Sequence, residues 1–117
     1  MNKKISRLLF GLNLLMALNA SAQSEGENYF NQSRIACHTI GNGKLVCPDL
    51  IDVNDKYQED WLIKFIKSSQ AFITSGDKKA MKVFKENDEI VMPDQPFDDN
   101  QIKKILLFIK SKQKDLI

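Results

Sequence analysis

The sequence predicts an all-α domain. Two apolar stripes at helical spacing carry that reading: Trp61, Leu62, Phe65 and Ile66, and later Ile102, Ile105, Leu106 and Ile109. No alternating run in the chain reads as a strand, and 117 residues suffice for one domain.

The elements follow in chain order. Lys3, Lys4 and Arg7, an apolar run from Leu8 to Leu18 and the small residues Ala20-Ser21-Ala22 predict a cleavable signal peptide over residues 1–22. The run is short for a permanent membrane span, so no stable membrane anchor is expected after cleavage. Residues 23–117 then form the folded domain. A first helix is expected from about Gly26 to Ile35, with Tyr29 and Phe30 as its apolar pair. A loop rich in turn residues follows, containing Gly41, Gly43, Pro48 and Asp49. The second helix is expected over Tyr57 to Ser68, with Glu59 and Asp60 near its positive end. Asp77 is placed to cap a short third helix, in which Met81 reads as core filling beside Ala80 and Phe84. Asp98 with Gln101 approaches a capping-box pattern and opens the last helix, which Lys110, Lys112 and Lys114 close. Phe30 is expected to meet Phe108 and Ile105 where the first and last helices dock.

Charge lends no support to one class of partner. The chain holds 17 Lys+Arg and 15 Asp+Glu, and loss of Lys3, Lys4 and Arg7 leaves 14 against 15. The exported form is then close to neutral, so charge gives no argument for nucleic-acid binding, and no nucleic-acid partner is expected.

The reactive inventory is small. His38 is the only histidine, so triads and multi-histidine zinc sites have little to draw on. Cys37 and Cys47 are the only cysteines, and in an oxidising compartment such a pair is a disulfide candidate. The dipeptide Cys37-His38 offers a different chemistry: a thiol able to form a thioether with a heme vinyl group, and an imidazole able to ligate the iron. The usual attachment signature is C-x-x-C-H, and Arg34 stands where its first cysteine belongs. A second axial ligand of thioether type has two candidates, Met81 and Met92. Met92 precedes Pro93 in a loop, whereas Met81 lies on a helix face, so Met92 is the better candidate.

With these residues in hand, the sequence resembles the small class I c-type cytochromes. Gly26, Phe30, the position of Arg34 and Cys37-His38 follow that family's spacing along its first helix. Residues 39–50, Trp61 to Ile66, Ser75-Gly76-Asp77, Met92-Pro93-Asp94 and Ile102 to Ile109 look like its successive loops and helices. The resemblance implies one heme c with His38 and Met92 on the iron and a single thioether at Cys37. It further implies that Pro48 offers its carbonyl to the proximal histidine; for Trp61 two roles stand, its indole N–H near a heme propionate and, ahead of that, packing in the core. Cys47 stands where the family usually carries glycine. The function implied is a periplasmic electron carrier without enzymatic activity, a monomer that docks transiently with redox partner proteins. Two other readings stay open: a heme-free cytochrome-fold module stapled by a Cys37–Cys47 disulfide, and a gas-sensing or peroxidase-like heme protein in which Met92 is displaced.

Overall fold

A computed structural model describes residues 20–33 and 37–116. Among them the chain forms helices and loops and no strand. Helix α1 covers residues 20–32. It is followed by α2 (Val53–Lys56), α3 (Glu59–Lys67), α4 (Ser69–Thr74), α5 (Lys78–Glu86) and α6 (Asp99–Asp115). No helix among the described residues is long and apolar enough to cross a membrane. The expected signal peptide lies outside the described residues except for 20–22, which are helical and continuous with α1.

The last helix forms as its sequence predicts. Asp98 accepts from the Gln101 backbone N–H at 2.8 Å, and the Gln101 side chain accepts from the Asp98 N–H at 2.9 Å. The capping box satisfies two N–H groups that the first helical turn would leave bare. The stripe of Ile102, Ile105, Leu106 and Ile109 is buried and meets Leu62 and Ile63 of α3. These six residues form the main core cluster among the described residues.

Helix α1 closes over that core at its N-terminal side. Gly26 packs on the backbone of Lys104 and the Cβ of Phe108, so close that any Cβ at position 26 would run into the Lys104 carbonyl oxygen. Glycine is required here by approach, not by backbone angle. Phe30 meets Phe108 with ring centroids 5.7 Å apart, and Glu25 pairs with Lys104. The helix begins before Gly26 and ends before Ile35, because a solvent-facing first turn gives no apolar periodicity and Ser33 ends the helix in a turn.

Two local expectations are corrected. Asp77 sits at the start of α5 but makes no side-chain cap. Both its carboxylate oxygens instead accept from the Trp61 indole N–H, at 3.1 and 3.2 Å. Met81 is not core filling: it is 38 % exposed, while its neighbour Ala80 is fully buried. The second helix lies within its expected bounds, and a further helix, not expected from the sequence, follows it at once. Helix α3 stops at Lys67, and α4 starts at Ser69. The reason is tertiary. The Lys67 carbonyl accepts from the Gln95 N–H at 3.1 Å, and the Ser68 hydroxyl donates to Asp94 at 2.9 Å. Bonds to another segment thus replace bonds along the helix at the break.

Candidate functional site

The loop after α1 is built around Asp49. Its carboxylate accepts from the N–H groups of Gly41, Gly43 and Ile51 at 2.8, 2.9 and 2.9 Å. Partial burial raises its pKa, but the three N–H donors and the Lys56 charge outweigh that, so Asp49 lies below the ordinary aspartate value. Gly41 and Gly43 have φ of 90° and 82°, which side chains rarely adopt. The loop is pinned again where the Leu50 N–H donates to the Thr39 carbonyl at 2.9 Å.

Within this frame Cys37 and Cys47 form a disulfide, their Cα atoms 5.0 Å apart. The Cys47 N–H also donates to the Cys37 carbonyl at 2.9 Å. One sulfur cannot hold both this bond and a heme thioether. The structure therefore presents the stapled state, and the thioether state requires the disulfide to be opened first. Arg34 lies outside the described residues.

His38 follows Cys37 directly. Its Nδ1 donates to the Pro48 carbonyl at 2.8 Å, the partnership that the resemblance implies for Pro48. Because the acceptor is a carbonyl, Nδ1 carries the proton and Nε2 keeps a free lone pair. Burial pushes the His38 pKa below the ordinary 6.5, with the Pro48 bond acting in the opposite direction. At neutral pH the side chain is a neutral donor ligand oriented by its own backbone.

Met92 comes from the loop between α5 and α6. That loop leaves α5 through Asp88 and Glu89, both left-handed with φ of 59° and 55°. It is then clamped on the α3–α4 break: the buried Ser69 hydroxyl donates to the Met92 carbonyl at 2.9 Å. Two adjoining cavities, of about 200 and 320 Å³, are both lined by His38, Pro48, Phe65, Val83 and Met92. The remaining walls of the larger one include Phe30, Leu62, Ile66 and Ile105, so it opens directly onto the core. The sequence-predicted ligands from two distant loops therefore meet at one apolar space.

Trp61 is not brought to that space. It lines neither cavity, and its N–H is engaged with Asp77. It stacks between Tyr57 and Phe65, at centroid distances of 4.6 and 5.0 Å, and so supports a cavity wall from behind. This is the packing role expected ahead of a propionate contact.

Gln70 was missed by the sequence reading. It lines the smaller cavity, and its buried Nε2 has no hydrogen-bond partner in the structure. Buried donors are nearly always paired, so an unpaired one facing a cavity marks a place where a ligand acceptor would sit. A polar Ser68-Ser69-Gln70 run straight after an amphipathic helix is the signal that could have pointed to it.

Helices α1 and α6 meeting at Gly26, with a histidine and a methionine delivered from two loops to one apolar cavity, define a cytochrome c-like fold. Solved structures agree. Cytochrome c from Rhodothermus marinus matches with a TM-score of 0.72 at 20% identity, over 82% of this chain and 80% of that one. An engineered form of that cytochrome matches with a TM-score of 0.69 at 20% identity, over 81% of this chain and 80% of the other. The engineered form bound to a carbene intermediate gives 0.66 at 18% identity, over 81% and 80%. No protein-family model and no curated protein sequence matches the chain. At these identities the likeness is one of fold.

The donor set fits a heme. A neutral imidazole with Nε2 free, a thioether sulfur, apolar walls and an unpaired amide donor are what an iron porphyrin with polar edge groups calls for. The part that does not fit as it stands is covalent attachment, because Cys37 is bonded to Cys47.

Proposed function

We propose that this chain is an exported electron carrier that holds one heme with His38 and Met92 as axial ligands. The observation that carries the reading is the convergence of both residues on the same cavity, with His38 held in the ligating tautomer by Pro48. When bound, the heme supplies a one-electron couple, and a thioether ligand in an apolar pocket favours the reduced iron. The protein's own contribution is orientation and exclusion of water. Pro48 sets the imidazole, Ser69 fixes the Met92 backbone, and Phe65 and Val83 wall the space. With both axial positions taken there is no open site for substrate, so an enzymatic role is not proposed. Redox partners dock transiently, over a small surface.

A single thioether at Cys37 belongs to the same proposal, after reduction of the Cys37–Cys47 bond. The experiment is co-expression with c-type maturation factors, followed by a visible spectrum and an intact mass. A coloured chain heavier than the apoprotein by one heme, with one alkylatable cysteine after denaturation, supports attachment through Cys37. A coloured chain at apoprotein mass supports axial ligation without the thioether.

A second reading is favoured by the disulfide itself. With Cys37 consumed, the chain is a heme-free module that keeps the fold and uses the cavity for another ligand or for none. A colourless chain in a cell that matures other cytochromes, still colourless after Arg34→Cys restores the full attachment signature, would favour this reading.

A further inference from the structure

One cluster exceeds what heme ligation needs. Cys37, His38 and Cys47 each present one ligand atom, and these atoms all lie within 4.8 Å of one another. Heme attachment at Cys37 leaves Cys47 without a task, and so does axial ligation by His38. The three are brought together by backbone bonds as well as by the disulfide. The Cys47 N–H donates to the Cys37 carbonyl at 2.9 Å, and His38 is held by Pro48, the residue after Cys47, at 2.8 Å. Opening the disulfide would therefore leave the two thiols facing each other beside the imidazole. A histidine that donates one ring N–H to a backbone carbonyl and keeps the other nitrogen bare is the usual form of a metal-ligating histidine.

We propose that, once the disulfide is reduced, Cys37, Cys47 and His38 hold a thiophilic d10 cation, Zn²⁺ or Cu⁺, in a site of two sulfurs and one nitrogen. Soft thiolates select these ions over hard ones, and imidazole suits both. Cu⁺ is satisfied by three such donors. Zn²⁺ takes a fourth, and the adjoining cavity of about 200 Å³ gives room for a water there. All three residues are half-buried, so the ion is reachable from solvent.

The reaction balances with a dithiol reductant. That reductant gives two electrons and two protons to the Cys37–Cys47 bond and leaves as a disulfide. Zn²⁺ then displaces the two thiol protons on binding. His38 cannot serve this ion and a heme iron through the same nitrogen, so the two occupants exclude each other. The inference stands on the cluster alone and needs no heme.

The test uses the full chain, heme-free, under anaerobic conditions. The chain reduced with a phosphine is titrated with Zn²⁺ alone against a chromophoric chelator, and separately with Cu⁺ alone. Co²⁺ serves as a spectroscopic stand-in for Zn²⁺. The expected result is one equivalent bound in at least one arm, with sulfur-to-cobalt charge-transfer bands, and none by the disulfide form. His38→Gln and Cys47→Ser should each weaken binding by more than about tenfold, with far-UV circular dichroism showing the fold intact. The comparison of reduced with disulfide-bonded wild type holds even if a variant fails to fold. Failure of the reduced chain to retain either ion would overturn the proposal, and so would a folded His38→Gln chain that binds as the wild type does.

Discussion

His38 donates from Nδ1 to the Pro48 carbonyl across 2.8 Å, and that bond ties an imidazole to the far side of its own loop. The same ten-residue separation is spanned by Cys37 and Cys47. The loop is thus closed covalently, through the His38 ring, and by the Cys47 N–H bond to the Cys37 carbonyl. Removing the covalent closure with Cys47→Ser should cost the apoprotein about 2–3 kcal/mol, the chain-entropy value for a loop of this size. The measurement is urea unfolding of the variant beside the disulfide-bonded wild type. Equal midpoints would show that the backbone bonds alone hold the loop.

Gly26→Ala should destabilise the fold, although alanine favours a helix by about 1 kcal/mol over glycine. The added Cβ meets the Lys104 carbonyl oxygen, which is backbone and cannot swing away. Overpacking of this kind costs about 1–3 kcal/mol, so the net effect should be a loss. Denaturant unfolding checks it, and a gain in stability would mean that α1 and α6 sit further apart.

Asp49→Ala should cost about 0.5–1.5 kcal/mol, since its loss leaves the partly solvated backbone donors of Gly41, Gly43 and Ile51 to water. The pH dependence follows from the direction of its shift. Asp49 is lowered when folded, so the unfolded chain binds the proton more readily, and stability rises with pH through this range. The contribution is complete above the ordinary value of 3.8 and is lost as pH falls below it. Acid unfolding of Asp49→Asn should therefore lack that part of the wild-type slope.

Gln70→Leu should stabilise the apoprotein and weaken heme binding together. The leucine removes an unpaired buried amide whose desolvation costs about 1–3 kcal/mol, and it removes the donor that a ligand's acceptor would meet. Thermal unfolding without heme and a hemin titration read the two effects separately. A variant less stable than wild type would show that Gln70 is satisfied in solution.

Much of the fold was legible because it rests on periodicity. The stripe from Ile102 to Ile109 and the Asp98–Gln101 box are local signals, and both stand in the structure as read. The expected meeting of Phe30 with Phe108 also stands in the structure. What periodicity could not carry was competition between segments. Nothing local says that Asp77 will serve Trp61 rather than its own helix, or that Gln95 and Asp94 will interrupt α3 at Lys67. Met81 misled because a methionine beside Ala80 and Phe84 looks apolar at helical spacing, yet it falls on the exposed flank of that face. Of the candidate site, His38 and Met92 were singled out by residue type and position and Pro48 by the resemblance, and all three line the same cavities. Gln70 was not singled out, because its significance lies in a partner it lacks.

The central claim is that His38 and Met92 take the two axial positions of one heme iron. A hemin titration of the reduced full chain, followed by its visible spectrum in both oxidation states, tests it most directly. The account predicts one equivalent bound with a low-spin spectrum and the weak band of iron–thioether ligation. Met92→Ala should then keep the heme but lose that band, and His38→Ala should lose specific binding. A wild-type chain that binds no hemin, or a low-spin spectrum unchanged by Met92→Ala, would contradict it.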